Sequence, residues 1–148
     1  MKINHINSKQ QRHGTAVVEA ALVLPVFFLA IAGIVEFGWG MMASQLVTNA
    51  AREGARRAII DGNTNTAVED YIATSLVDSL RIDATDVTVT IEITPDPSNT
   101  TTGNNLLDAQ PYDLIMVRVA VPYDAVGLIA GRWMGGTNIV AQTTMRHE

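Results

Sequence analysis

The stretch Gly14-Thr-Ala-Val-Val-Glu-Ala-Ala-Leu-Val-Leu-Pro25 opens an apolar segment that decides the fold. From Ala16 to Val35 the apolar run is interrupted only by Glu19 and Pro25. As an α-helix with a rise of 1.5 Å per residue, this run spans about 30 Å, which is the thickness of the hydrocarbon core of a bilayer. We therefore predict a helix that crosses a membrane over about residues 16–38.

The charges on the two sides of this segment differ in sign. The leader, residues 1–14, carries Lys2, Lys9 and Arg12 and no acid, whereas seven arginines and all fifteen acids follow Thr15. The positive-inside rule then predicts a single-pass protein of the inner (cytoplasmic) membrane, with a cytoplasmic N-terminus and an extracytoplasmic remainder. An acidic remainder also argues against a nucleic-acid partner.

Glu19 distinguishes this segment from an ordinary anchor or signal sequence. A carboxylate deep in the bilayer costs a few kcal/mol and marks a functional contact, whereas one near the membrane face is simply hydrated. A cleaved secretory signal is the alternative, since Ala30-Ile31-Ala32 resembles a small-residue cleavage site. The length of the apolar run and the internal carboxylate argue against that alternative.

The helical pattern continues past the membrane segment. Apolar residues recur on one face as far as Ile60, and Asp61-Gly62 supplies a stop, so we predict one helix from Thr15 to Ile60. Glu53 and Arg57 form a favourable i,i+4 pair. Arg52 and Arg56 belong to the polar face, where they are either solvated or paired with an acidic neighbour.

Four further positions of the long helix are candidate packing residues. Pro25 removes a backbone hydrogen bond and should kink or loosen the helix. Gly33 and Gly38 are small enough to let other helices approach closely, although glycine is common in transmembrane helices. Glu36, at the outer boundary, is either solvated at the headgroups or engaged in a specific contact.

The second half of the chain predicts a small extracytoplasmic α+β domain, residues 63–148, after the long helix of residues 15–62. A helix from Thr66 to Arg81, with Thr66 as N-cap and Glu69 completing a capping box, precedes three alternating segments. These segments predict strands at residues 86–94, 113–121 and 137–146. Between them lie a polar, mobile loop at residues 95–111 and an apolar excursion at residues 123–134. The fold class is α+β, with a small antiparallel sheet packed on the helices.

The sequence contains no motif that indicates a catalytic site. The histidines His5, His13 and His147 show no metal-ligand spacing, the chain has no cysteine, and no nucleophile or phosphate-binding motif is present. We predict a protein that is not an enzyme and needs no cofactor or metal.

The first 60 residues closely resemble the TadE-like family, the type IV pilin-like minor pilins or pseudopilins of the Tad (Flp) pilus system. Gly14 followed by Thr15-Ala-Val-Val-Glu19 is similar to a prepilin processing site. The blocks Gly33-Ile-Val-Glu-Phe-Gly38 and Asn49-Ala-Ala-Arg-Glu-Gly-Ala-Arg56 carry the rest of the resemblance, and Ala141-Gln-Thr-Thr-Met-Arg-His-Glu148 resembles the family terminus.

The resemblance implies a role and a set of partners. A prepilin peptidase would cut after Gly14, Thr15 would become the mature N-terminus, and Glu19 would serve processing or subunit docking. The long helix would be the assembly element, with other Tad pilins or pseudopilins and the inner-membrane assembly platform as partners. The function implied is Tad pilus assembly, in support of adhesion and biofilm formation.

Two other hypotheses stay open at this point. In one, residues 63–148 are a membrane-anchored binding module unrelated to pilus assembly, and the helix merely tethers it. In the other, the chain is a secreted hydrolase matured after Ala32. The sequence leaves open the strand order and whether the protein enters the fibre or remains in the membrane.

Overall fold

The computed structural model describes residues 8–128 and 136–147, with side chains from Thr15 onward. The basic side chains of the predicted leader and residues 129–135 of the predicted apolar excursion lie outside this description. Contacts within the chain define two compact units, Met1–Phe37 and Gly38–Glu148.

The first helix, α1, runs from Ser8 to Ala58 without interruption at Pro25. It therefore begins inside the predicted leader and ends two residues before the predicted Ile60. Beyond its end, the amide nitrogen of Ile60 donates to the carbonyl of Arg57, and Gly62 adopts a left-handed φ of 84°. Glycine takes this conformation without steric cost, so the predicted stop at Asp61-Gly62 is confirmed.

The second helix, α2, runs from Asn65 to Leu80. Its N-cap is Thr64, whose side chain accepts a hydrogen bond from the Ala67 amide at 3.2 Å. The predicted N-cap Thr66 and its capping box with Glu69 are therefore wrong, because the third helical residue counted from Thr64 is Ala67. The buried stripe of α2 is the predicted one and comprises Val68, Ile72, Leu76 and Leu80.

Three strands form an antiparallel sheet in the order β1-β2-β3. They are β1 at Thr88–Thr94, β2 at Leu114–Pro122 and β3 at Asn138–Arg146. Alternate residues of the central strand β2 are fully buried, as a half-buried strand requires. A short helix, α3, at Tyr123–Val126 follows β2, and 3₁₀ turns occupy Ala84–Asp86 and Leu106–Asp108. The predicted α+β fold class is confirmed.

The core of the second unit lies between the sheet and two helices. It combines the buried stripe of α2 and the inner residues of β1 and β2 with the C-terminal half of α1, which contributes Ala43, Val47, Ala50, Ala51, Ala55 and Ala58. Gly54 lies on the same face, where an added Cβ would overlap Cδ1 of Ile72 and lie 2.8 Å from its Cγ1. The small residues of α1 thus permit close packing against α2.

Candidate assembly helix and processing site

The predicted processing residues occupy consecutive turns at the start of α1. Gly14 lies within the helix, and Thr15 and Glu19 are exposed. Residues four apart in a helix share a face, so Glu19 follows Thr15 by one turn on the same side. A cut after Gly14 would therefore place a new amine and the Glu19 carboxylate on one face.

The apolar half of α1 offers large side chains on every side. Leu22, Leu29 and Ile34 are 71%, 73% and 73% exposed, and Phe27 and Phe28 stack edge to face with ring centroids 5.9 Å apart. A helix that is apolar all round and not buried in its own fold needs an apolar environment from outside. In the part of the chain that the structure describes, this is the one helix long and apolar enough to cross a membrane.

The remaining packing candidates of this half differ in exposure. Pro25, Gly33 and Gly38 are exposed, and a Cβ added at either glycine would meet nothing within 4 Å. Both glycines thus border open space. Glu36 is buried, at 9% exposure, and has an interaction partner.

Arg52 and Arg56 project from the polar face of the second half of α1, and both are exposed. An oxygen of Glu53 lies 4.0 Å from Nη1 of Arg56, and the other lies 3.8 Å from Nε of Arg57. The predicted Glu53–Arg57 pair is thereby confirmed, although exposed pairs of this kind contribute little to stability. The guanidinium of Arg57 also lies 3.5 Å from the ring centroid of Tyr71, which fixes it against α2.

A buried carboxylate organises the loop between β1 and β2, and sequence analysis did not single it out. Asp113 is fully buried, and its two oxygens accept four hydrogen bonds. The donors are the Asp96 amide at 2.8 Å, the Asn99 side chain at 2.7 Å, the Thr101 hydroxyl at 2.6 Å and the Gln110 amide at 2.9 Å. The alternation of β2 placed Asp113 as an ordinary first strand residue, and nothing in that pattern indicated four partners, three of them 12 to 17 positions earlier.

These hydrogen bonds decide the ionisation of Asp113. Burial is the largest single influence and opposes the charged form, but the bonds from Thr101, Asn99, Gln110 and Asp96 together hold the pKa of Asp113 well below its ordinary value. The ionised carboxylate of Asp113 therefore holds the loop between β1 and β2 in place through these hydrogen bonds. Further hydrogen bonds attach the predicted loop at residues 95–111 to α2. The side chain of Asn65 donates to the Asn104 carbonyl and accepts from the Leu106 amide.

The C-terminal segment is hydrogen-bonded to the backbone of Asp113. The amide of His147 donates to the Asp113 carbonyl at 2.8 Å, and Nε2 of His147 lies 3.3 Å from an oxygen of Asp61. His147 is buried, at 3% exposure. Within the described residues, no group of three or more histidine, aspartate or glutamate side chains is arranged to hold a metal ion.

These features define a class of protein: an N-terminal apolar helix suited to a membrane, continuous with a small α+β domain. Residues 14–56 match the family model described as TadE-like protein. The resemblance to the TadE-like family is thus confirmed over this segment. The matched segment contains every residue predicted for processing and assembly, from Gly14 to Arg56. No curated protein and no solved structure gives a significant match to the chain.

Proposed function

We propose that this protein is a minor pilin or pseudopilin that acts without enzymatic activity in the assembly of the Tad pilus. The observation that carries the proposal is the match over residues 14–56, which begins at the glycine before the cut and includes Glu19. In this proposal the protein supports adhesion and biofilm formation through the pilus.

Processing supplies the first step of the mechanism. A prepilin peptidase cuts after Gly14 while the segment after Thr15 lies in the inner membrane and the domain faces the periplasm. The new amine at Thr15 and the positive end of the helix then attract a carboxylate. Glu19 of a neighbouring subunit is the partner, and the pairing offsets the cost of holding that carboxylate in lipid.

Assembly then uses the exposed apolar half of α1. Large side chains on all sides can exchange lipid for the helices of other pilins without disturbing the core of the second unit. Gly33 and Gly38 allow close approach of such helices, and Pro25 loosens the segment between them and the N-terminus. Arg52 and Arg56 are placed to pair with acids on a neighbouring subunit.

Replacing Glu19 tests this proposal. In cells that depend on this protein for piliation, Glu19→Ala should abolish or strongly reduce pili, because the subunit loses the carboxylate that docks on its neighbour. Electron microscopy counts the pili, and immunoblotting of membranes shows whether the leader is removed. Glu53→Ala is the matched control, since it removes a glutamate from the polar face of the same helix at a cost expected below about 1 kcal/mol. Wild-type processing and pilus numbers in Glu19→Ala would contradict the role of Glu19.

An anchor exchange separates assembly from simple tethering. The exchange should be limited to residues 1–37, because Ala43 to Ala58 belong to the core of the second unit. An unrelated single-pass anchor in this place should keep the domain folded and in the membrane but eliminate pili. Normal piliation of the exchanged protein would support the tethered binding module instead.

A further inference from the structure

The sheet of the second unit has two outer strands, β1 and β3, and each is paired on one side only. Every open sheet has two such edges, so an unpaired edge alone indicates no partner. These two edges differ, because the outward amide of Ile93 near the end of β1 donates to the side chain of Asn104 at 3.0 Å. Within residues 8–128 and 136–147, no hydrogen bond occupies the outward backbone groups of β3 between Asn138 and Arg146.

Hydrogen bonds at the two ends of β3 show which of its residues face the open side. The His147 amide donates to the Asp113 carbonyl, and the Tyr123 amide donates to the Thr137 carbonyl, both in register with the ladder between β2 and β3. Odd-numbered residues of β3 therefore direct their amide and carbonyl groups toward β2, and even-numbered residues direct theirs outward. On β1 the outward residues are the odd-numbered ones, as Ile93 shows. The side chains of even-numbered residues lie on the more exposed face of all three strands.

This alternation restricts how a strand of a second copy can join the open edge. In a parallel pair, even-numbered residues of β3 lie beside even-numbered residues of β1 and bond to the odd-numbered residues that flank them, so the exposed face continues across the junction. Antiparallel pairing of β3 with β1 would set even beside odd residues and invert the faces of the second sheet. Antiparallel pairing of two β3 strands also keeps the faces aligned, and side-chain charge distinguishes it from the parallel pair.

Charge favours β1 of the second copy as the partner strand and selects one register. On the exposed face, the one charged residue of β3 is Arg146 and the one charged residue of β1 is Glu92. Setting Arg146 beside Glu92 of the second copy places Thr144 beside Thr90, and the opposite charges on neighbouring strands stabilise the junction. A pair of β3 strands offers Arg146 no acid, since β3 contains none.

The edge of β1 has room for this strand. A groove of about 390 Å³ lies beside the start of β1, and it is lined by α2 and by residues 84 and 87–89. In the same register, the residues of β3 that lie beside Val87 and Val89 on the inner face are Ala141 and Thr143. Both are small, as a groove next to a helix requires. Met145, which is half-buried, lies beside Ile91 and gains an apolar neighbour.

We propose that the open edge of β3 binds β1 of a second copy of this protein in parallel, so that the two sheets become one. The contact is heterologous, and each pair keeps one free edge of either kind, so further copies can join the row. The inference concerns the second unit alone. It goes beyond the proposed function, because it does not depend on a role in pilus assembly.

Cross-linking between single-cysteine variants of the full-length protein tests this contact. The chain has no cysteine, and Thr144 and Thr90 are both exposed. Thr144→Cys and Thr90→Cys, carried on chains with different tags, are purified in detergent, mixed and treated with a short bismaleimide. The mixture should give a mixed dimer, and neither variant alone should give a dimer. Thr102→Cys, at an exposed threonine of the loop between β1 and β2, replaces Thr144→Cys as the matched control and should give none.

A charge exchange tests the register. Glu92→Arg on the Thr90→Cys chain should lower the yield of mixed dimer severalfold, because like charges then lie side by side. Arg146→Glu on the Thr144→Cys chain should restore the yield. Both positions are exposed, so the variants leave the core intact.

Three results would overturn the inference. A mixture of Thr144→Cys and Thr90→Cys without mixed dimer, or a yield that the charge exchange does not restore, removes the parallel contact. Efficient cross-linking of Gln142→Cys to itself would show two β3 strands paired antiparallel instead. Cross-linking of Thr144→Cys in cell membranes to a different protein, without the mixed dimer, would assign the open edge to that protein.

Discussion

The two halves of α1 share one continuous helix but differ in what they contact. From Val17 to Phe37 the large side chains are exposed all round, whereas from Ala43 to Ala58 the buried positions are mostly alanine. The first half has no core of its own, and the second half completes the core of a folded unit. Residue size, rather than helix propensity, therefore reflects the environment of each half. Large residues suit lipid or the helices of other subunits, and small ones allow α2 and the sheet to pack closely.

The carboxylates of the two regions follow the same division. Glu19 is exposed on the first half of α1, whereas Asp113 is buried and saturated with donors in the second unit. In the proposed function the first acts on another molecule, whereas the hydrogen bonds of the second hold its own fold together. Substitutions in the two regions should therefore affect different properties.

The largest effect on stability is expected at Asp113. Asp113→Ala removes the acceptor of the buried Thr101 hydroxyl and of the partly buried backbone amides of Asp96 and Gln110. The Asn99 side chain keeps its bond to the Pro111 carbonyl. A buried donor left without a partner costs about 1–3 kcal/mol. The free energy of unfolding should fall by about 3 kcal/mol, measured by denaturant titration in detergent solution. Glu19→Gln is the control from the first region and should leave that free energy unchanged. Equal destabilisation by both variants would contradict the division between the regions.

The same carboxylate predicts a dependence on pH. The pKa of Asp113 in the fold is below its ordinary value of 3.8, so the unfolded chain binds the proton more readily. The stabilisation is complete above that ordinary value and is lost as the pH falls below it toward the lower pKa of the folded state. Unfolding curves of the wild type should show this loss below about pH 4, and Asp113→Ala should show a shallower pH dependence. Parallel curves for the two proteins would show that Asp113 does not carry the stabilisation.

A smaller effect is expected from glycine substitutions in the two halves of α1. Gly54→Ala places a methyl group against the fully buried Ile72, and overpacking of this kind costs about 1–3 kcal/mol. The gain in helix propensity of about 1 kcal/mol offsets only part of this cost. Gly38→Ala meets nothing within 4 Å and should be neutral or slightly stabilising. The melting temperature should fall in Gly54→Ala and stay unchanged or rise slightly in Gly38→Ala, and equal shifts in the two variants would refute the contrast in packing.

Much of this architecture follows from the sequence because it rests on local periodicity. The 3.6-residue repeat of α2 and the alternation of the three strands predicted those elements to within about two residues, and the long apolar run predicted the first half of α1. The antiparallel sheet was expected from its one polar face. Its strand order was not, since order depends on contacts between distant segments.

The predictions that differ from the structure concern segments whose conformation depends on residues far away in the sequence. Thr66 was chosen as the N-cap of α2, but Thr64 caps the helix while Asn65 bonds the loop at Asn104 and Leu106. The loop between β1 and β2 was expected to be mobile because its composition is polar. Its donors instead converge on Asp113, and such convergence has no periodic signature. Glu19 was identified from the cost of a carboxylate in lipid, and Pro25, Gly33, Glu36 and Gly38 from the properties of a membrane helix. The family resemblance added the cut after Gly14. The roles of these residues depend on molecules outside this chain.

The first residue of the mature protein distinguishes a processed pilin-like subunit from an uncut anchor and from a secreted protein. N-terminal sequencing of the protein isolated from cell membranes should give Thr15, because the account makes the first half of α1 an assembly element released by a cut after Gly14. Gly14→Leu should block this cut and serves as the control for the assignment. An intact Met1 in the wild-type protein would indicate an uncut anchor, and Gly33 would indicate a secreted protein matured after Ala32. Either result would contradict the account.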